Sequence, residues 1–421
     1  MDDAGDMEHH NTRSAAFLVS AMCLAEILNM IGIFAFPALL PEFITLWDLT
    51  NTQAGWISGI YFAGYTVSVP VLAGLTDRMD PRRIYLGSTV LGIAGALGFA
   101  LLANGFWTAL VFRVLAGFGL AGTFVPGLKA LVDRLGEGVR PRAISFYTAT
   151  FSLGTALSFW VTGLLSTHLG WRLAFGFAAG TGALAFILAA WTLRPRPPNQ
   201  EHPDQGHFLD FRPVLHNRQA MGYILAYTCH TWELFAARSW VVAFLTFALG
   251  TQSAGWGAKY LPPSSVAALT AVIAMWASVG GAELAVRFGR LPVLRVIMWG
   301  SAIYACILGL LSPVPYLLLV VLCMGYFMFV QGDSATLHTA VIQAAPAHQL
   351  GLTMAFQSLI GFAGAFVGPL VVGLVLDLTG GGASNWSWWA AFCSMGLVVA
   401  LGPLFVQLLG RQSHPDPESG E

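Results

Sequence analysis

The sequence predicts an all-α membrane protein: twelve transmembrane helices in two related six-helix halves. Three observations predict it. The chain is 56% hydrophobic and only 10% charged, with a mean hydropathy of +0.68, more apolar than soluble domains are. Its apolar residues fall in runs of about 20, the helical length that crosses a bilayer core. A charge-dense turn at 73–83, AGLTDRMDPRR, returns in weaker form at 282–290 as AELAVRFGR. Ala73, Leu75 and Arg78 are matched there by Ala282, Leu284 and Arg287, 209 positions on in a chain of 421.

Lipid offers no partner to an unpaired backbone group, and the runs are too long for barrel strands, so each is read as a helix. The first, 15–40, follows the polar stretch Met1–Ser14 and exceeds a cleavable signal core, so it is expected to stay in the membrane. Runs at 53–76 and 84–104 flank the charged turn, and 107–132, 143–167 and 171–193 complete a first half, 1–193. The segment 194–220 is rich in Pro, His and charge and reads as a linker. Runs at 221–248, 263–286, 292–312, 314–341, 351–378 and 386–410 make the second half, 221–421, which ends in a short tail.

Placing the N-terminus inside puts 15 Lys and Arg residues in cytoplasmic segments and two, Arg172 and Lys259, outside. Both termini are therefore expected in the cytoplasm of a multi-pass inner or plasma-membrane protein. A net charge of -1 and a pI near 6.8 give no hint of nucleic-acid binding, so no nucleic-acid partner is expected. The five cysteines lie inside apolar runs without CxxC or metal-ligand spacing, so no metal and no cofactor are expected. No Ser, Cys or His nucleophile arrangement is discernible, which argues against an enzyme. The expected partners are a small-molecule substrate and the bilayer, with a monomeric chain.

The charged turn resembles the loop between spans two and three of the major facilitator superfamily of secondary transporters, G-x-L-A-D-R-x-G-R-R. Here Ala73 and Asp80 stand at the two glycine positions, with Asp77, Arg78, Arg82 and Arg83 in place. The second copy keeps Arg287, Gly289 and Arg290 but has Val286 at the Asp position. The family's span-four pattern, R-x-L-x-G-x-G-x-A, stands at Arg113, Leu115, Gly117, Gly119 and Ala121. The span-five signature of proton-driven drug exporters is missing: Gly154 is followed by Ser158 and Phe159. The resemblance implies nested repeats with a site near the bilayer midplane. It also implies a cytoplasmic gate of Asp77, Arg78, Arg82, Arg83, Arg287 and Arg290, with Asp133 a further partner for Arg.

Ionisable groups within spans are costly and therefore point to function. Glu26 and Glu233 lie at matching depths in spans one and seven, so a twofold relation would face them into one cavity. Tyr227, His230 and Glu233 share roughly one helical face, whereas Arg238 is rotated about 140° from Glu233. Arg113 and Asp333 complete the substrate and proton-coupling candidates, with Asp333 open to pairing with either Arg238 or Arg113. Tyr61, Tyr65, Tyr227 and Gln357 are candidate polar cavity residues. A carboxyl moving between a buried site and one beside Arg can load and release a proton. The expected function is proton-coupled secondary transport by alternating access, with a mild preference for a small anion. The alternatives are multidrug or metabolite efflux and a non-transporting receptor or assembly protein.

Overall fold

The computed structural model describes residues 3–76, 78–197, 210–252 and 260–410. Asp77, Lys259, the middle of the linker and the tail from Arg411 lie outside the described residues. The described residues are helical with short turns and contain no strand. Twelve long helices follow one another: α1 Asp3–Met30, α2 Asn51–Leu75, α3 Pro81–Leu102, α4 Phe106–Val132, α5 Arg140–Leu169 and α6 Trp171–Thr192. Then come α7 Arg218–Gly250, α8 Pro263–Phe288, α9 Arg290–Leu310, α10 Tyr316–Ala344, α11 Leu350–Leu378 and α12 Asn385–Gly410. Ten of these are long and apolar enough to cross a bilayer. The apolar part of α1, Ala15–Met30, is shorter, and α2 completes the twelve.

Local chemistry explains where helices begin. The Asp80 side chain accepts the Arg82 amide at 3.0 Å and Pro81 follows, a capped start for α3. Asn217 caps α7 by accepting from the Ala220 amide, and Ser384 caps α12 by accepting from that of Ser387. The α8–α9 turn passes through Gly289 at φ +85°, a conformation that side chains with a Cβ resist.

The structure corrects the first span. The sequence reading runs one helix through 15–40, but α1 stops at Met30. Residues 31–34 form turns, and short helices Ala35–Ala38 and Leu40–Trp47 follow. Pro37 is one reason. It has no N–H, so the Ile33 carbonyl loses its normal partner four residues on. Spans ten and twelve are also interrupted: helix Tyr316–Gly332 gives way at Asp333 to helix Ser334–Ala344, and helix Asn385–Val399 is followed after a turn by helix Gly402–Gly410.

The first six helices pack on one another, chiefly α3 on α4, α2 on α4, α3 on α6 and α1 on α5 and α6. The last six do likewise through α7 on α11, α9 on α12 and α8 on α10. The two sets meet through α2 against α11 and α5 against α8. Backbones approach closely there: a Cβ at Gly55 of α2 would stand 2.5 Å from the Pro369 carbonyl oxygen of α11. Helix α7 is the most enclosed, with 78% of its apolar window buried, so its polar residues face protein and not lipid.

Candidate functional site

Glu26, on α1, is fully buried. The Tyr147 hydroxyl of α5 lies 3.1 Å from its Oε2 and 3.0 Å from the Thr123 carbonyl oxygen of α4. Its other oxygen, Oε1, has no hydrogen-bond partner. One turn along α1, Asn29 donates to Tyr85 of α3 at 2.8 Å. A cavity of about 40 Å³, the scale of one or two waters, opens beside this group and is lined by Asn29, Tyr61, Thr89, Arg113 and Thr123 among others.

Arg113 reaches from α4 to the break in α1. Its Nη2 donates to the Ile33 carbonyl at 3.0 Å, Nη1 to that of Gly32 at 3.4 Å and Nε to that of Ile57 at 3.5 Å. Ser158 closes the same turn: its hydroxyl donates to the Ile31 carbonyl at 2.7 Å and accepts the Phe34 amide at 2.9 Å. The guanidinium lies 4.4 Å from the centre of the Tyr61 ring. A single side chain thus satisfies carbonyls that Pro37 and the turn leave without helical partners.

The second group stands on α7, α9 and α10. Glu233 Oε1 accepts from Ser301 Oγ at 2.8 Å and from the Tyr326 hydroxyl at 3.0 Å. His230 Nδ1 lies 2.6 Å from Asp333 Oδ1, and both residues are fully buried. The sequence reading left Asp333 to Arg238 or Arg113; the break in α10 turns it to His230 instead. It also considered His230 as a proton partner of Glu233, whose contacts in the structure are Ser301 and Tyr326. Arg238, five residues beyond Glu233, points elsewhere, as helical rotation requires. Its Nη2 meets Gln331 Oε1 at 3.3 Å, while Nε and Nη1 have no partner although the residue is 3% exposed. Among the described residues neither Arg113 nor Arg238 has a carboxylate within 4 Å.

The hydrogen-bond partners of Glu26 thus come from the first six helices and those of Glu233 from the last six. Between the sets lie aromatic rings. Phe62 and Phe235 centroids are 4.4 Å apart, and Tyr65 and Phe362 are 4.1 Å apart. Tyr227 stands 5.9 Å from His230, and the buried Gln357 lies 3.5 Å from His338 Nδ1.

On the basic face, Asp80 collects the charges. It accepts from Arg134 Nη2 at 3.0 Å and from the Arg196 amide at 2.8 Å. Burial pushes Asp80 upward, but the Arg196 amide, the Arg134 guanidinium and the Arg82 amide outweigh it and hold the carboxyl below its ordinary 3.8. Arg82 donates to the Ala190 carbonyl at 3.1 Å and Arg196 to that of Asp133. The Asp133 carboxylate meets Lys129 at 3.7 Å, so its link to an Arg runs through its backbone. Arg287 meets Glu283 at 3.2 Å, and Arg290 donates to Gln343. Arg78 and Arg83 are exposed, and Asp77 is outside the described residues. The bonds of Asp80, Arg82, Arg134 and Arg196 stay among the first six helices and the start of the linker, and those of Arg287 and Arg290 among the last six. The sequence reading took Asp80 only as a replaced glycine; the Asp-Pro pair was the available signal for a helix cap.

The opposite face carries a tie that the sequence reading missed. Asp377, near the end of α11, accepts from the Asn51 amide at 3.0 Å and Asn51 Nδ2 at 2.9 Å. Its second oxygen accepts from the Thr52 amide at 2.8 Å and Thr52 Oγ1 at 2.6 Å. A carboxylate from one set thus caps the first turn of α2 in the other.

Residues 22–369 match the family model described as Major Facilitator Superfamily. The chain is 25% identical over 343 residues to a putative metabolite transport protein of Haemophilus influenzae, covering 78% of this chain and 81% of that one. It is 24% identical over 315 residues to Protein spinster of Drosophila melanogaster, covering 72% of this chain and half of that protein's length. Among solved structures it is similar to a bacterial homologue of the human lysosomal transporter Spinster, in an inward-facing and occupied conformation. The TM-score is 0.74 at 16% identity, with 94% of this chain and 97% of that one covered.

Proposed function

We propose, from the premise that this chain belongs to the major facilitator superfamily, that it is a proton-coupled transporter of a small organic anion. It is a multi-pass membrane transporter and not an enzyme; the coupling ion and the charge of the solute are our reading. One observation carries it. Two guanidiniums, Arg113 and Arg238, are buried beside the aromatic layer between the helix sets without a carboxylate partner among the described residues. A buried cation left so is costly unless an anion joins it for part of the cycle. Arg238 keeps two donor nitrogens, Nε and Nη1, free for that role.

Glu26 and Glu233 supply the proton side of the reading. Each carboxyl is held by hydroxyls and, among the described residues, by no cation. When the sets rock, its surroundings change, and it exchanges a proton with the water that reaches it. His230, one turn from Glu233, forms a second buried polar pair with Asp333. The α2–α11 and α5–α8 contacts act as the joints of alternating access, with the Asn51–Asp377 end closed. The likeness to an inward-facing structure supports that assignment.

The test is uptake into proteoliposomes with a panel of organic anions, cations and neutral solutes under an imposed pH gradient. Gradient-driven accumulation of an anion is expected, with loss of accumulation in Glu26→Gln or Glu233→Gln. Gradient-independent flux for every solute carried removes proton coupling. Coupled flux equal to wild type in both variants removes these two carboxyls as the coupling groups.

A further inference from the structure

Phe34 sits on the turn that breaks α1, and its backbone is fixed by Ser158 and its neighbour Ile33 by Arg113. Its ring stacks on Phe159 of α5 with centroids 5.0 Å apart and planes 19° apart. Across the boundary between the two helix sets it faces Phe235 of α7, 6.3 Å away and only 11° from parallel. The Arg238 carbon Cζ is 5.7 Å from the Phe34 centroid and 5.9 Å from that of Phe235. The guanidinium is thus almost equidistant from the two rings. All four side chains are buried, and Arg238 Nε and Nη1 have no partner.

We infer that the substrate of this site is a planar aromatic carboxylate, with Phe34 and Phe235 recognising its ring and Arg238 its carboxylate. This rests on the anion-transport reading above and narrows it. Parallel phenyl rings favour another flat π-system over a saturated ring of equal charge. A guanidinium whose Nε and Nη1 have no partner offers charge-assisted hydrogen bonds to a carboxylate. Because Phe34 and Phe235 belong to different helix sets, rocking of those sets changes their separation. An arene held against both rings therefore reports its presence to both sets at once.

The experiment measures binding to the full-length protein in nanodiscs by calorimetry, using benzoate, cyclohexanecarboxylate and benzamide. Benzoate is expected to bind about tenfold more tightly than cyclohexanecarboxylate, since two ring contacts are lost with the flat face. Benzamide, which lacks the charge, is expected to bind more weakly still. Phe34→Leu and Phe235→Leu should each move the benzoate preference toward unity. Arg238→Gln should weaken both carboxylates by about tenfold or more while leaving their ratio. Arg238→Lys, which retains the charge, should recover part of that loss and guards against misfolding of the Gln variant. Equal binding of benzoate and cyclohexanecarboxylate, a preference that survives both Leu variants, or no benzoate binding overturns the inference. Benzoate flux in proteoliposomes separates the two levels. Binding with the expected pattern but no flux leaves the clamp standing and removes the transport reading. Flux of a non-aromatic anion without ring preference does the reverse.

Discussion

Replacing Asp377 by alanine should open the face on which it caps α2. Four donors converge on its two oxygens, at 2.6 to 3.0 Å, and two of them are amides of the first turn of α2. Loss of a helix cap costs about 0.5–2 kcal/mol, and the ionised acceptor and its convergent donors place this one at the upper end. The closed arrangement is therefore weakened by about 2 kcal/mol, a shift of about thirtyfold toward the state open on this face. Asp377→Asn keeps one acceptor oxygen and should lose about half as much, or about fivefold. The assay is the maleimide labelling rate of a single cysteine at Ala267→Cys, in a background lacking the five native cysteines. Ala267 is 1% exposed and lies one turn from Ser264, which packs against Gly163 of α5. Labelling of solubilised protein avoids any dependence on orientation. The rate should rise in the order wild type, Asn, Ala. A rate within twofold of wild type in the Ala variant, or a larger effect for Asn than for Ala, refutes the reasoning.

Arg113→Gln should leave the carbonyls of Gly32, Ile33 and Ile57 short of donors and lower stability by about 1–3 kcal/mol, read as a fall in melting temperature. Asp80→Asn should destabilise the basic face in a pH-dependent way. The folded carboxyl is held below its ordinary 3.8, so its contribution is full above that value and disappears as pH falls through the lower folded value. The difference in melting temperature between wild type and Asp80→Asn should therefore narrow under acid conditions, and a constant difference from pH 7 to pH 3 counts against the cluster. Gly117→Ala should fail to reach the wild-type yield of folded protein, because its Cβ would run into the Tyr61 carbonyl oxygen of α2. Wild-type yield and melting temperature in that variant would mean α2 and α4 are less tightly apposed than described.

The long helices were legible because each bilayer crossing writes its own apolar run, and a run needs no distant partner to be recognised. Charged residues inside those runs were legible for the same reason. Their partners were not. Tyr147 is 121 positions from Glu26 and Asp377 is 326 from Asn51, and helical periodicity carries no information across such distances. The break in α1 lay between these cases. Pro37 is visible in the sequence, and its missing N–H orphans the carbonyl of Ile33, yet a proline in a membrane helix is compatible with a kink or a full stop. What decided for a stop was Arg113 and Ser158 arriving from α4 and α5. Asp333 shows the converse limit: its type and depth were readable, but the break that aims it at His230 was not.

The turn of α1 has a consequence for how the protein stores charge in an oily interior. Peptide oxygens stand around the Arg113 guanidinium much as water molecules would, so the ion is solvated without being neutralised. A carboxylate in their place would cancel the field; three dipoles only make the charge tolerable. The interior thus keeps a positive charge that remains costly to bury, with a potential that falls off slowly where water is scarce. On the anion reading proposed above, that potential would draw a negatively charged solute before it touches a side chain.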